Sequence, residues 1–158
     1  MGTGYHRHMN ASSFILGLAL LVGASAAVAK PTVCVPVIEK AWIRAAPPSA
    51  TTLAGYAIVR NPCSRAFAVT DVASADFAMA MIHQTLVENG ISRMRPTSSL
   101  ALPARGALVF SPGGAHMMLM HPRRVLTQGD RVKLVLSLAG GEKIAATAIV
   151  QREPPAKP

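Results

Sequence analysis

From residue 41 onward, hydrophobic and polar positions alternate in short runs, each cut by Gly, Pro or Asn. A period of two with frequent turn residues predicts strands rather than helices. The runs are 41–46, 53–61, 66–72, 77–86, 91–95, 107–110, 115–121, 131–138 and 143–150. In the second run Tyr56, Ile58 and Arg60 fall on one face, Gly55, Ala57 and Val59 on the other. Pro47-Pro48 and Asn61-Pro62 stop two of the runs, because proline removes a donor and restricts the residue before it. Asn89-Gly90 predicts a two-residue hairpin turn, since both central positions must tolerate positive φ. Only 72–81 is ambiguous, with Ala75, Met79 and Ile82 also spaced for a short helical stripe. Several short strands at this spacing predict an all-β sandwich or barrel.

Composition narrows the class. The chain has 158 residues, 51% hydrophobic and 4% aromatic, with 12 Gly and 12 Pro. That is too apolar for disorder and too interrupted for a coiled coil or helical bundle. Lys plus Arg number 16 against 7 acids, a formal charge of +9 that favours anionic partners. Nucleic acid is not an expected partner, because Trp42 and Tyr56 are too sparse for a base-stacking platform.

The first 29 residues read as a leader. An uncharged stretch from Phe14 to Val28 follows Arg7 and precedes Ala24-Ser25-Ala26 and Ala27-Val28-Ala29. This is the order of a cleaved secretory signal, and it is shorter than the roughly 20 residues a membrane-spanning helix needs. The expectation is a periplasmic protein without stable membrane insertion, made of a domain over 30–150 and a flexible tail over 151–158. Cys34 and Cys63 suit that compartment as a disulfide staple. Free thiols and direct metal ligation are the alternatives.

Past the leader the histidines are His83, His116 and His121, and the methionines Met79, Met81, Met94, Met117, Met118 and Met120. The hairpin about Asn89-Gly90 pairs Thr85 with Met94, which sets Met94 diagonal to His83 on one face. Strand periodicity puts His116, Met118 and Met120 on a shared face and turns Met117 and Leu119 toward the core. Met79 and Met81 are in phase with His83 and are expected to lie deeper. Thioether plus imidazole suits Cu(I), a soft ion. Each residue taken singly also fits a bland role, Met as core filler and His as a satisfied polar group.

The chain resembles the periplasmic copper chaperone family PCuAC, whose domain is also called DUF461. The resemblance rests on His83, ten intervening residues, Met94, twenty-one more, then His116-Met117-Met118. It is supported by Trp42 with Pro47-Pro48, Ala54-Gly55-Tyr56, Met94-Arg95-Pro96 and Gly113-Gly114-Ala115. It implies a cupredoxin-like Greek-key β-sandwich and a Cu(I) site of His83, Met94, His116 and Met118. It further implies a non-enzymatic metallochaperone that passes copper toward cytochrome c oxidase. Sco-type thiol proteins and the copper-binding oxidase subunits would be its partners. The chain departs from the family at Cys34, at Cys63, and at His121, where glycine is usual. The competing reading is a non-catalytic structural or adhesive exported β-sandwich without a physiological metal. A blue-copper redox site would use a Cys thiolate with two His, and neither cysteine is near a histidine in sequence.

The leader yields the first prediction. Protein recovered from the periplasm should begin near Lys30, or near Ala27 if the earlier site is used. Intact mass measures this, and a full-length chain held in the membrane fraction would contradict it.

Overall fold

The computed structural model describes residues 1–4 and 34–155, so the leader expected over 1–29 lies almost wholly outside the described residues. Everything below belongs to the unit Val33–Pro158. Ten strands form it: β1 Val37–Arg44, β2 Thr52–Arg60, β3 Phe67–Ala73, β4 Phe77–Glu88, β5 Ile91–Pro96, β6 Leu100–Leu102, β7 Ala107–Phe110, β8 Ala115–Pro122, β9 Arg131–Leu138 and β10 Lys143–Gln151. Their hydrogen-bonded order is β5-β4-β8-β7-β2-β1-β10-β9-β3-β6, with β8 also pairing β2. The sheet folds over so that β3 meets β4 and β6 meets β7. The all-β expectation therefore holds, and residues 72–81 are strand and turn rather than helix.

Alternation builds the interior. Leu53, Ala57 and Val59 of β2, Met117 and Leu119 of β8, and Val132, Leu134, Leu136 and Leu138 of β9 point inward into one cluster with Ile43, Val69 and Val150. Gly55 lets β8 approach closely: a Cβ there would stand 3.3 Å from Leu119 Cδ1 and 3.4 Å from Met117 Cβ. Asn89 and Gly90 take φ of 52° and 78°, and Glu88 pairs with Ile91 across them, as the hairpin requires.

Two pieces of strand were not legible as runs. β1 begins at Val37, but its pairing with β2 shifts between Glu39 and Trp42, where Lys40 has φ of 50°. A bulge of this kind breaks the period of two. β6 has only three residues, too few for a pattern. Gln151, assigned from sequence to the tail, closes β10.

The loop after β2 is pinned by one buried amide. Asn61 Nδ2 donates to the carbonyls of Arg65 and Pro103, both at 2.8 Å, and its Oδ1 accepts from the Cys63 amide at 3.0 Å. Cys63 is bonded to Cys34, with Cα atoms 5.8 Å apart, and no free cysteine remains. The staple joins the segment ahead of β1 to the loop that Asn61 holds.

The bond spans a sequence separation of 29, for which chain entropy gives about 3.5 kcal/mol. Cys34→Ser with Cys63→Ser should lower unfolding free energy in urea by about that amount. A thiol assay on the denatured, unreduced wild type should read no free thiol.

Candidate functional site

The site begins with the pairing of β4 and β8. They run antiparallel with Met79 opposite Met120, Met81 opposite Met118, and His83 opposite His116. Residues opposite one another share a face, and on β5 Met94 stands opposite Thr85. The two clusters expected on separate faces are therefore one stripe on the outer face of the sheet. It turns away from the Met117–Leu119 side that fills the core. All four candidate residues, His83, Met94, His116 and Met118, lie on it.

Depth varies along the stripe. His116 is 6% exposed, whereas Met94 is 63% exposed because β5 is the last strand of the sheet. Met79 and Met81 are 52% and 38% exposed, against the expectation that they lie deeper. Period fixes a side chain's face; how far it is covered depends on neighbours, and nothing overlies them among the described residues. Sequence reading also missed a flank. Trp42 and Tyr56 stand opposite one another, with ring centroids 4.6 Å apart and the Arg44 guanidinium 5.9 Å from each ring. Tyr56 is in phase with Ala54, which faces Met118. His121, left out of the site, takes φ of 52°, a conformation that glycine adopts without strain.

The imidazoles of His83 and His116 meet edge to face with centroids 6.0 Å apart. His116 Nδ1 lies 3.0 Å from the Gly114 carbonyl. A carbonyl only accepts, so Nδ1 carries the proton and Nε2 holds the lone pair. His83 Nδ1 is buried without a hydrogen-bond partner among the described residues. Burial, and then the neighbouring charge of His116, push the His83 pKa below its ordinary value.

This geometry corrects the copper reading. Among the described residues no group of three or more His, Cys, Asp or Glu side chains is placed to hold a metal ion. Only two imidazoles converge, no carboxylate joins them in such a group, and the disulfide consumes both thiols. Cu(I) as cofactor, the role of a Cu(I) metallochaperone, and the Sco-type and cytochrome c oxidase partners that followed from it are withdrawn with that finding.

The His83 shift makes stability depend on pH. A lowered folded-state pKa means that the unfolded chain binds the proton first as pH falls from the ordinary imidazole value of 6.5. Stability should then be fully present above that value and decline below it. Thermal melts at pH 7.5 and 5.5 should show a lower midpoint in acid, and His83→Gln should narrow the gap.

The LpqE-like family model, described as "Putative lipoprotein LpqE-like", matches residues 37–150. The "Putative lipoprotein Lxx21020" of Leifsonia xyli subsp. xyli is 30% identical over 105 residues. That match takes in 66% of this chain and 62% of the relative, so it spans less than two thirds of the relative's length. The Cu(I) form of DR1885 from Deinococcus radiodurans is 28% identical, with TM-score 0.59 over 84% of each chain. The copper-bound PCuAC domain of PmoF2 is 23% identical, with TM-score 0.60 over 73% of this chain and 92% of that one. These establish structural homology to PCuAC domains and the cupredoxin-like β-sandwich expected from the resemblance. With the family model covering nearly every strand, the chain belongs to the LpqE-like family.

Proposed function

We propose that this protein is a non-catalytic, exported β-sandwich that works by adhesion, holding an apolar segment of another exported protein without a metal of its own. The observation that carries this is the outer stripe of β4, β5 and β8. Three thioethers, Met79, Met81 and Met94, are substantially exposed there, beside the paired His83 and His116. Methionine is flexible and polarizable, and surfaces rich in it repack around varied apolar partners. Val87, in phase with His83 and Thr85, extends the exposed apolar area toward the hairpin tip. In this reading His83, Met94, His116 and Met118 are contact residues, and the imidazoles provide the polar anchor within the apolar face.

Export is supported by the leader pattern, and the periplasm is the compartment it favours. No helix among the described residues is long and apolar enough to cross a membrane. The lipid in the family's description does not come to this chain through Cys34 or Cys63, because a sulfur in a disulfide cannot also form a thioether. The copper of DR1885 and of the PmoF2 domain belongs to those proteins. Here two imidazoles meet without a third His, Cys, Asp or Glu among the described residues.

Met81→Glu with Met94→Glu places two charges on the stripe while leaving the core untouched. A periplasmic protein retained by immobilised wild type should be lost from the double variant, whose melting temperature should stay within about 2 °C, as for ordinary surface changes. Retention by both would refute the docking face. Anaerobic competition with a chromophoric Cu(I) chelator tests the metal-free part. Wild type should take up no stoichiometric Cu(I), and uptake that Met94→Leu abolishes would overturn it.

A further inference from the structure

A concave site lies away from the His/Met stripe and owes nothing to the adhesive reading. The segment after β1, the β8–β9 loop and the residue after β10 border an open cleft of about 490 Å³, whose Pro47, Pro48, Thr127, Gln128 and Arg152 are exposed. Small-molecule sites fall between roughly 300 and 1,000 Å³. Residues 45–48 (Ala-Ala-Pro-Pro) and Leu126 form an apolar wall, and Thr127, Gln128 and Arg152 supply the polar groups.

The walls are held by hydrogen bonds. The Ala45 amide donates to the Gln151 carbonyl and the Ala50 amide to the Pro47 carbonyl, each at 2.9 Å. The Gly129 amide donates to the Val150 carbonyl at 2.8 Å. Asp130 Oδ2 accepts from the Thr127 amide at 2.7 Å and from its hydroxyl at 3.3 Å. Arg124 ties this loop to the β3–β4 turn through Asp76 Oδ1 at 2.9 Å and reaches Asp130 Oδ2 at 3.3 Å. A site with supported walls binds without first having to order itself.

The charges nearby are unequal in their commitments. Arg124 is shared by two carboxylates, and Arg60, Arg65 and Arg95 are each paired with a glutamate. Arg152 has no ion pair among the described residues. Glu153 lines an adjoining cleft that shares Gln128 and Arg152 with this one, and forms no ion pair with Arg152 among the described residues. The Thr127 hydroxyl is spent on Asp130, and among the described residues neither the Arg152 guanidinium nor the Gln128 side-chain amide donates a hydrogen bond.

We propose that this cleft binds a free, small amphipathic monocarboxylate. Its apolar body lies against residues 45–48 and Leu126, and its carboxylate pairs with Arg152 and Gln128. An arginine fork matches the two carboxylate oxygens, and the rest of the lining offers no second charge.

Octanoate is the probe, titrated into the full mature protein and followed by amide chemical shifts and calorimetry. Saturable shifts should centre on Ala45, Ala46, Leu126 and Gln128. Arg152→Gln should weaken binding about tenfold or more, the usual scale for a charged hydrogen bond. Arg93→Gln, an exposed change on β5, should leave it unchanged. Ala46→Leu should weaken binding by narrowing the cleft, and octylamine should not bind. Shifts that fail to saturate, or equal affinity in the wild type and Arg152→Gln, would overturn the site. Tighter binding of acetyl-Ala-Ala-Leu with a free C-terminus would overturn its assignment to a free small molecule in favour of a peptide end.

Discussion

The antiparallel register of β4 on β8 is the constraint on which both sides of this protein depend. With His83 opposite His116, Ile82 lies opposite Met117 and Ala80 opposite Leu119. One set of contacts fills the core, and the other makes the outer stripe. Side chains alternate strictly along a strand, so sliding β8 by one residue would turn His116 and Met118 inward and expose Met117 and Leu119. Burying an imidazole among Val and Leu without partners costs several kcal/mol at least. The fully buried Met117 and Leu119 thus specify the outer face as firmly as they specify the interior. The hairpin turn at Asn89-Gly90 extends the same register to β5.

Much of this was legible in the sequence, and the reasons are local. Alternation in 53–61, 131–138 and 143–150 marks strands because one face of each is buried. Asn-Gly marks the hairpin because few other pairs tolerate its dihedrals. Even Met94 could be placed beside His83 by counting from the turn. Where local pattern stops, so does legibility. The bulge at Lys40 scrambles the first half of β1, and β6 is held by its neighbours rather than by its own three residues. The exposure of Met79 and Met81 is decided by what does not pack over them, which no spacing encodes. The Arg152 cleft joins three segments far apart in the chain.

The copper reading shows a different limit. Strand periodicity left His83 with Met94 and His116 with Met118 as two clusters, and the register of β4 on β8 sets them on one face. Spacing did not report how many His, Cys, Asp or Glu side chains converge there, and among the described residues no group of three does. A fold shared with PCuAC domains is a scaffold; chemistry depends on the groups placed on it. The Cys34–Cys63 bond sharpens the point, since the thiols that soft metals favour are consumed in holding β1 to the loop after β2.

The sheet is open, and its two borders differ from its middle. One border, β5, carries Arg93 and Arg95 and finishes at Pro96; the other, β6, is three residues long and is followed by Pro103. An unpaired strand edge invites another chain to add on, and short length, like charges and proline each discourage it. Two copies meeting along β5 would bring arginines together and would lose a donor at the proline. The borders therefore act as brakes on polymerisation. In a chain so rich in β-structure and apolar residues, this places the resistance to edge-on growth in a handful of border residues rather than in the sheet as a whole.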